Sequence, residues 1–192
     1  MKNIKVALVH DYIKDRSSRF APIELVVTGQ ITLFLTGLYL ASRTDNPIII
    51  FFPAIVDILV VLVIGVLVSL FIYLLMHRYK KQREVIEWIY SEHVGRSAIW
   101  VFLLFPGLIS LGEEVFFRGY VQANVGIIMS SVLFSIFHFR LNDKSLIALL
   151  SAFLLSIIFG YSYKLTGNLM IPIILHYQFH IFNIYLVRNK IV

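Results

Sequence analysis

The chain contains no cysteine among its 192 residues. Disulfide bonds, thiolate zinc sites and cysteine nucleophiles are therefore excluded, because each of them needs a thiol. Charge is also scarce: Asp, Glu, Lys and Arg make up 15% of the chain, whereas about 25% is usual for soluble domains. Internal repeats and low-complexity segments are absent from the sequence as well, which favours a single folded domain.

Long apolar runs take the place of charge. Hydrophobic residues make up 59% of the chain and its mean hydropathy is +0.84, which is typical of a polytopic membrane protein. One helix needs about 20 apolar residues to cross a bilayer, and runs of about this length recur along the sequence. The predicted fold class is therefore all-α, a polytopic membrane helix bundle.

Six transmembrane helices and one amphipathic surface helix are predicted. Residues 1–20 lack the apolar region and cleavage site of a signal peptide and are interpreted as a cytosolic N-terminal arm. Residues 21–192 are interpreted as a single transmembrane domain, in which 77–97 lie on the membrane surface. The spans are predicted at about 21–41, 57–76, 98–122, 125–139, 145–163 and 169–187, with a tight turn at 123–126.

The net charge of +6 is interpreted as a signal of orientation in the membrane, with no nucleic acid as partner. With six spans and a cytosolic N-terminus, the basic residues on the outer side are only Arg43, Arg118 and Lys164, out of 17 Lys and Arg residues. This asymmetry follows the positive-inside rule. It predicts cytosolic N- and C-termini in the plasma (inner) membrane, with the lipid bilayer as a partner.

Two adjacent carboxylates, Glu113 and Glu114, lie inside the third predicted span. A carboxylate at the centre of a bilayer costs about 2.5 to 3.5 kcal/mol on insertion scales, so the pair needs a partner or a function. On a helix Glu114 and Arg118 share a face because they are four residues apart, whereas Glu113 points about 100° away. We therefore predict a structural ion pair between Glu114 and Arg118, with Glu113 left without a local counter-charge.

Histidines occur at a similar depth in two later spans. Counted from the outer end at about 1.5 Å per residue, Glu113, His138, His176 and His180 all fall near the middle of the membrane. His176 and His180 share a helix face, and Asn183 lies one turn further on that face. Three helices are thus predicted to direct one carboxylate and two or three imidazoles at a shared cavity. Asp57, in the second span, is interpreted as a helix-packing residue.

Three motifs occur in a fixed order: EEVFFR at 113–118, FSIFH at 134–138 and HYQFH at 176–180. In this order they resemble the CPBP (Abi) family, which comprises CAAX prenyl proteases and bacteriocin-processing, glutamate-type intramembrane endopeptidases. That family has EExxxR, FxxxH and then HxxxN or HxxxD. The resemblance covers about 100–183 and does not extend to the first two spans. The connection between the first two motifs is shorter than in the family, and His180 stands where the family has Asn or Asp.

The resemblance implies a membrane-embedded peptidase with its catalytic core at about 98–187 and a protein or peptide substrate cut near the membrane. Glu113 would activate a water for attack on a peptide carbonyl, and His138 would help to hold that water. His176 and His180 would stabilise the oxyanion.

Supporting roles are implied for further residues of the same motifs. Glu114 and Arg118 would orient Glu113, and Phe134 precedes His138 by one helical turn. Asn183 could supply the amide that His180 replaces.

Three alternatives remain open. No cofactor is expected, but His138, His176 and His180 could instead bind zinc and leave one position for a water. The segment 176–180 differs from the HExxH of soluble zinc proteases, because no glutamate follows its first histidine.

A non-catalytic membrane scaffold or immunity protein of the same fold is the second alternative, and the altered third motif favours it. A transporter or proton channel ranks last, because inverted repeats are absent from the sequence.

Overall fold

The computed structural model of the protein describes residues 23–44, 48–77, 99–141 and 146–188. Within these ranges the chain is helical apart from short connections and the segment 48–54, and it contains no β-strand. The elements are α1 (Ile23–Ala41), α2 (Ile55–His77), α3 (Ile99–Glu114), a π-helix (Val115–Val121), α4 (Gln122–Leu141), α5 (Leu146–Thr166) and α6 (Met170–Arg188). The predicted all-α fold class is confirmed. The predicted arm at 1–20 and nearly all of the surface helix at 77–97 lie outside the described residues.

The predicted turn between the third and fourth spans is present. α4 is interrupted at Gly126, whose φ of 79° and ψ of 172° do not fit a helix and are readily adopted only by glycine. The 36-residue apolar stretch Leu103–His138 therefore consists of two rods. With this break, the described ranges contain six helical rods, the number predicted from the sequence.

Length and composition make three stretches of the described chain suitable for crossing a membrane: Ile55–Leu75, Leu103–His138 and Leu146–Thr166. A shorter apolar helix covers Val27–Ala41. The outer face of α2 is apolar and exposed, with Leu59, Val63 and Leu67 each more than half exposed. Such a continuous apolar face suits contact with lipid. That each of the six rods crosses the bilayer stays a prediction.

α6 lies among α2, α3 and α5, while α1 packs against α3 and the π-helix. The largest apolar cluster joins α2, α5 and α6 through Val61, Ile72, Leu155, Phe159, Ile171 and Leu175. α5 contributes a face of small residues that includes Ser151, Ala152, Ser156 and Gly160. Small side chains let helices approach closely in a membrane. α4 packs closely against α5 and also against the π-helix.

The connection between α5 and α6 is tied to the non-helical segment before α2. Asn168, which is 2% exposed, accepts a hydrogen bond from the Met170 backbone N–H at 3.0 Å and so caps α6. Its side-chain amide donates to the Phe51 carbonyl at 2.9 Å. The Leu169 N–H donates to the Ile49 carbonyl at 3.0 Å. One buried asparagine thus joins a helix cap to a distant stretch of backbone.

Replacing Asn168 by alanine should lower the stability of the fold. The change removes a helix cap, worth about 1 kcal/mol, and removes the hydrogen bond to the part-buried Phe51 carbonyl, worth about another 1 kcal/mol. Thermal unfolding in detergent micelles should show a lower midpoint for Asn168→Ala, with Asn168→Asp intermediate because the carboxylate still accepts at the cap. The control Asn124→Ala removes an exposed side chain and should be neutral. Equal midpoints for the two alanine variants would contradict this role.

Candidate active site

The charged pair predicted on one helix face is present and completely buried. Arg118 Nε lies 2.9 Å from Glu114 Oε2, and both side chains are 0% exposed. Arg118 Nη2 also donates to the carbonyl and the hydroxyl oxygen of Ser156 on α5, at 3.3 and 3.2 Å. Its guanidinium lies over the rings of Phe134 and Phe159, at 4.8 and 5.7 Å from their centroids. The predicted ion pair is confirmed, and it extends into contacts with α4 and α5.

A π-helix begins directly after Glu114. Its wider turn is marked by the Gln122 backbone N–H, which donates to the Phe117 carbonyl five residues earlier. The element buries Val115, Phe117, Arg118 and Gly119. Single π turns inside α-helices are frequently found at functional sites. Here the π turn follows the two carboxylates and carries the arginine that pairs with one of them.

The other carboxylate, Glu113 of α3, lies where α3 meets three other helices. It is 2% exposed, and its Oε1 accepts a hydrogen bond from Gln30 Nε2 of α1 at 3.0 Å. Its Oε2 lies 3.4 Å from His138 Nε2 of α4 and 3.9 Å from His176 Nε2 of α6. The two oxygens thus face different partners, an amide on one side and two imidazoles on the other.

The His138 ring is held with Nε2 directed at Glu113. Its Nδ1 lies 2.9 Å from the Phe134 carbonyl, and because a carbonyl only accepts, Nδ1 carries the hydrogen. When the ring is neutral, it presents an Nε2 lone pair to Glu113 Oε2; when the ring is protonated, Nε2 donates a hydrogen to that oxygen. The Phe134 ring lies nearly parallel to the imidazole, at 4.2 Å between centroids and 25° between planes. The His138 side chain is 20% exposed, so this side of the site is its more open one.

His176 links the ion pair to His180. Its Nδ1 lies 2.8 Å from Glu114 Oε1, so Nδ1 carries the hydrogen and donates it to the carboxylate. Its Nε2 lies 3.0 Å from His180 Nε2, where one ring donates to the other. The Phe159 ring lies alongside at 5.0 Å and 25°. Arg118, Glu114, His176 and His180 thus form one continuous polar chain through the bundle.

The structure brings together most of the side chains that the sequence singled out: Glu113, Glu114, Arg118, Phe134, His138, His176 and His180. Asn183 is buried on α6, but its amide donates to the Phe179 carbonyl of its own helix at 2.8 Å. That bond gives no support to a role at Glu113. Asp57 is exposed in the first turn of α2.

Three contacts of the site were missed by the sequence interpretation. None of Gln30, Ser156 and Phe159 was predicted from the sequence as part of the site. The sequence does show that Gln30 is a polar residue within an apolar span. Its partner Glu113, however, lies 83 residues away, and local spacing does not identify such a distant partner.

The zinc alternative can be compared with the geometry. Within the described residues, no group of three or more His, Asp or Glu side chains is arranged to hold a metal ion. The Nε2 atoms of His176 and His180 are at hydrogen-bond distance, which requires a hydrogen on one of them. A zinc ion would need the lone pair of each ligating nitrogen. The contact therefore favours a hydrogen-bonded pair of rings over a pair of ligands.

Fold and site together define an all-α membrane helix bundle with a buried carboxylate that faces imidazoles from two other helices. Residues 95–182 match a family model described as type II CAAX prenyl endopeptidase Rce1-like. The resemblance that the three motifs predicted is thereby confirmed, and the match supports a CAAX-type intramembrane protease in general. It covers the helices that carry Glu113, His138 and His176, and excludes α1 and α2.

One curated relative is the uncharacterized protein YpbD of Bacillus subtilis (strain 168), which is 36% identical over 70 residues. The matched region is 36% of this chain and 36% of that protein, so the chain spans about a third of the length of this relative. No solved structure matches the chain.

Removing the buried arginine should unfold the site. Arg118→Met leaves the Glu114 carboxylate buried without its cation, and breaking a buried pair in this way costs about 3 to 5 kcal/mol. Arg118→Lys should recover part of the loss, because an ammonium group can reach Glu114 but cannot also reproduce the planar contacts with Ser156. Thermal unfolding in detergent checks both variants. Lys164→Met, which removes an exposed cation on α5, is the matched control, and an equal effect there would contradict the assignment.

Proposed function

We propose that this chain is a glutamate-type intramembrane endopeptidase that hydrolyses a peptide bond near the membrane in a protein or peptide substrate. The observation that carries the proposal is the position of Glu113 Oε2, which lies 3.4 Å from His138 Nε2 and 3.9 Å from His176 Nε2. A buried carboxylate beside two imidazoles, without a local cation, suits a general base. The family match over 95–182 supports the same reaction class.

The nucleophile is a water held by two acceptors. In the neutral form of His138, Glu113 Oε2 and His138 Nε2 both offer lone pairs, so one water can donate a hydrogen to each and direct its own lone pair at a substrate carbonyl. As the new C–O bond forms, Glu113 takes a proton from the water. The same proton then passes to the leaving nitrogen as the C–N bond breaks. Glu113 returns to the carboxylate form, so protons balance over the cycle.

The donor for the oxyanion is His180. His176 carries its hydrogen on Nδ1, where Glu114 accepts it at 2.8 Å, so in neutral His176 the Nε2 atom only accepts. The hydrogen between the two Nε2 atoms therefore belongs to His180. When a tetrahedral intermediate forms, this N–H can turn to the oxyanion, as the amide of an Asn would in the family pattern. Glu114 and Arg118 position His176 and, through it, His180.

The cellular setting proposed is the plasma (inner) membrane, with both termini in the cytosol and the lipid bilayer and a protein or peptide substrate as partners. The three stretches long and apolar enough to cross a membrane support the membrane part of this proposal. The distribution of Lys and Arg supports the orientation. No nucleic acid partner is proposed. If the wild-type protein produces no cleavage, the alternative of a non-catalytic scaffold or immunity protein is supported instead.

Glu113→Gln should abolish cleavage while the protein still inserts and folds, because the amide cannot take a proton. His138→Ala should lower the rate strongly, and general acid–base groups contribute about 100-fold to 10,000-fold. The assay compares the peptide termini in membranes containing the wild-type protein or either variant, by mass spectrometry, with the amount of folded protein matched. Asn124→Ala, an exposed change, is the control. Full activity in either variant would sink the mechanism.

His180→Asn separates the metal-free mechanism from the zinc alternative. Asn restores an N–H donor at the position of the family motif, so we expect activity within about tenfold of wild type, insensitive to a strong chelator. His180→Leu lacks any donor and should lose about 100-fold to 1,000-fold, the usual effect of removing one oxyanion donor. A zinc site would instead lose a ligand in both variants. Loss of activity in His180→Asn together with chelator sensitivity of the wild type would favour zinc.

A further inference from the structure

Gln30 is the contact to Glu113 that comes from outside the family match. It lies on α1, in a helix that the match over 95–182 excludes, and it is 9% exposed. Its side-chain Nε2 donates to Glu113 Oε1 at 3.0 Å. Because a carboxylate oxygen can only accept, the nitrogen end of the amide is the end that faces Glu113. A buried amide in an apolar helix is costly unless it is used in this way.

The position of Gln30 is fixed by backbone contacts between helices. A Cβ atom added to Gly112 of α3 would lie 2.7 Å from the backbone oxygen of Gln30 and 3.0 Å from its Oε1. A Cβ added to Gly37 of α1 would lie 2.9 Å from Cα of Phe116 in the π-helix. Gly112 thus lies where the backbone of α1 approaches α3, and Gly37 lies where the backbone of the π-helix approaches α1. These two close approaches flank Glu113 along the chain and hold α1 against the site.

We propose that Gln30 is a positioning residue that binds Oε1 of Glu113 and so leaves Oε2 as the oxygen that works on the water. The inference rests on the proposed function and extends it to a helix that the family match does not cover. With Oε1 held by the amide, rotation of the carboxylate is restricted and Oε2 stays directed at His138 and His176. The amide touches neither water nor substrate in this arrangement, so it acts only through the orientation of Glu113.

Gln30→Met tests the contact directly, because methionine has a similar length and shape but no N–H. Activity is measured on a synthetic peptide that reproduces the bond cut by the wild-type protein, in detergent micelles. We expect kcat to fall about tenfold to 100-fold, the scale of effect of a misplaced catalytic group, while KM changes less than about twofold. Gln30→His, which again presents an N–H of similar reach, should recover part of the lost kcat. A merely structural residue would not give this split or this recovery.

Gly112→Ala tests the same placement without altering Gln30. The added methyl group meets the Gln30 backbone oxygen, so α1 must move away and the amide must withdraw from Glu113. The expected change is again in kcat. Gly29→Ala is the matched control, because an added Cβ there meets nothing within 4 Å, and its kcat should equal that of wild type. The double variant Gln30→Met/Gly112→Ala should be no slower than the more affected single variant, since both act through one contact.

The outcomes separate this inference from the proposed function. If wild type and Glu113→Gln differ in cleavage but Gln30→Met and Gly112→Ala both keep kcat within about twofold of wild type, the role of Gln30 is overturned and the function stands. If the wild-type protein cleaves no substrate, the proposed function and the role of Gln30 both fail. If Gln30→Met does not fold, Gly112→Ala against Gly29→Ala decides. Loss of kcat in Gly112→Ala, with Gly29→Ala unchanged, supports the inference.

Discussion

A carboxylate and a guanidinium that are both fully buried, Glu114 and Arg118, hold this site together. Burying two charges is costly, and hydrogen bonds to further polar groups offset part of that cost. Arg118 therefore reaches Ser156 of α5, and the free oxygen of Glu114 takes His176 of α6. The ion pair on one helix thus fixes the positions of two others. The aromatic rings over the guanidinium exclude water and strengthen these contacts.

Glu113 differs from Glu114 by one position and has a different chemical environment. One helical step turns it away from Arg118, so its partners are an amide and two imidazoles. The imidazoles are oriented through their Nδ1 atoms, by a backbone carbonyl for His138 and by Glu114 for His176. In the proposed mechanism, the side chain that is left without a lysine or arginine partner is the one that changes its protonation state. The proposal thus assigns stability to Glu114 and chemistry to Glu113, which are adjacent residues.

Much of this arrangement could be predicted from the sequence, because it follows from short-range periodicity. Four-residue spacing gave the ion pair, and counting depth along each span placed the carboxylate and the histidines at one level. The contacts of Gln30 and Ser156 could not be predicted in this way, since they depend on how helices far apart in sequence approach each other. The π-helix also could not be predicted from the pattern of residues. The π-helix packs against α1 and α4. These contacts between distant segments are not encoded by local helix propensity. Spacing also leaves the role of Asn183 unsupported, because its amide is bonded to its own helix.

The central claim is that Glu113 activates a water molecule, whose oxygen becomes part of the newly formed C-terminal carboxyl group. It is tested most directly by incubating membranes that contain the protein in water enriched in oxygen-18 and analysing new peptide termini by mass spectrometry. We predict new C-termini that each carry one heavy oxygen with the wild-type protein, and none of these termini with Glu113→Gln. New termini that form equally in both, or wild-type membranes in which none is formed, would contradict the claim.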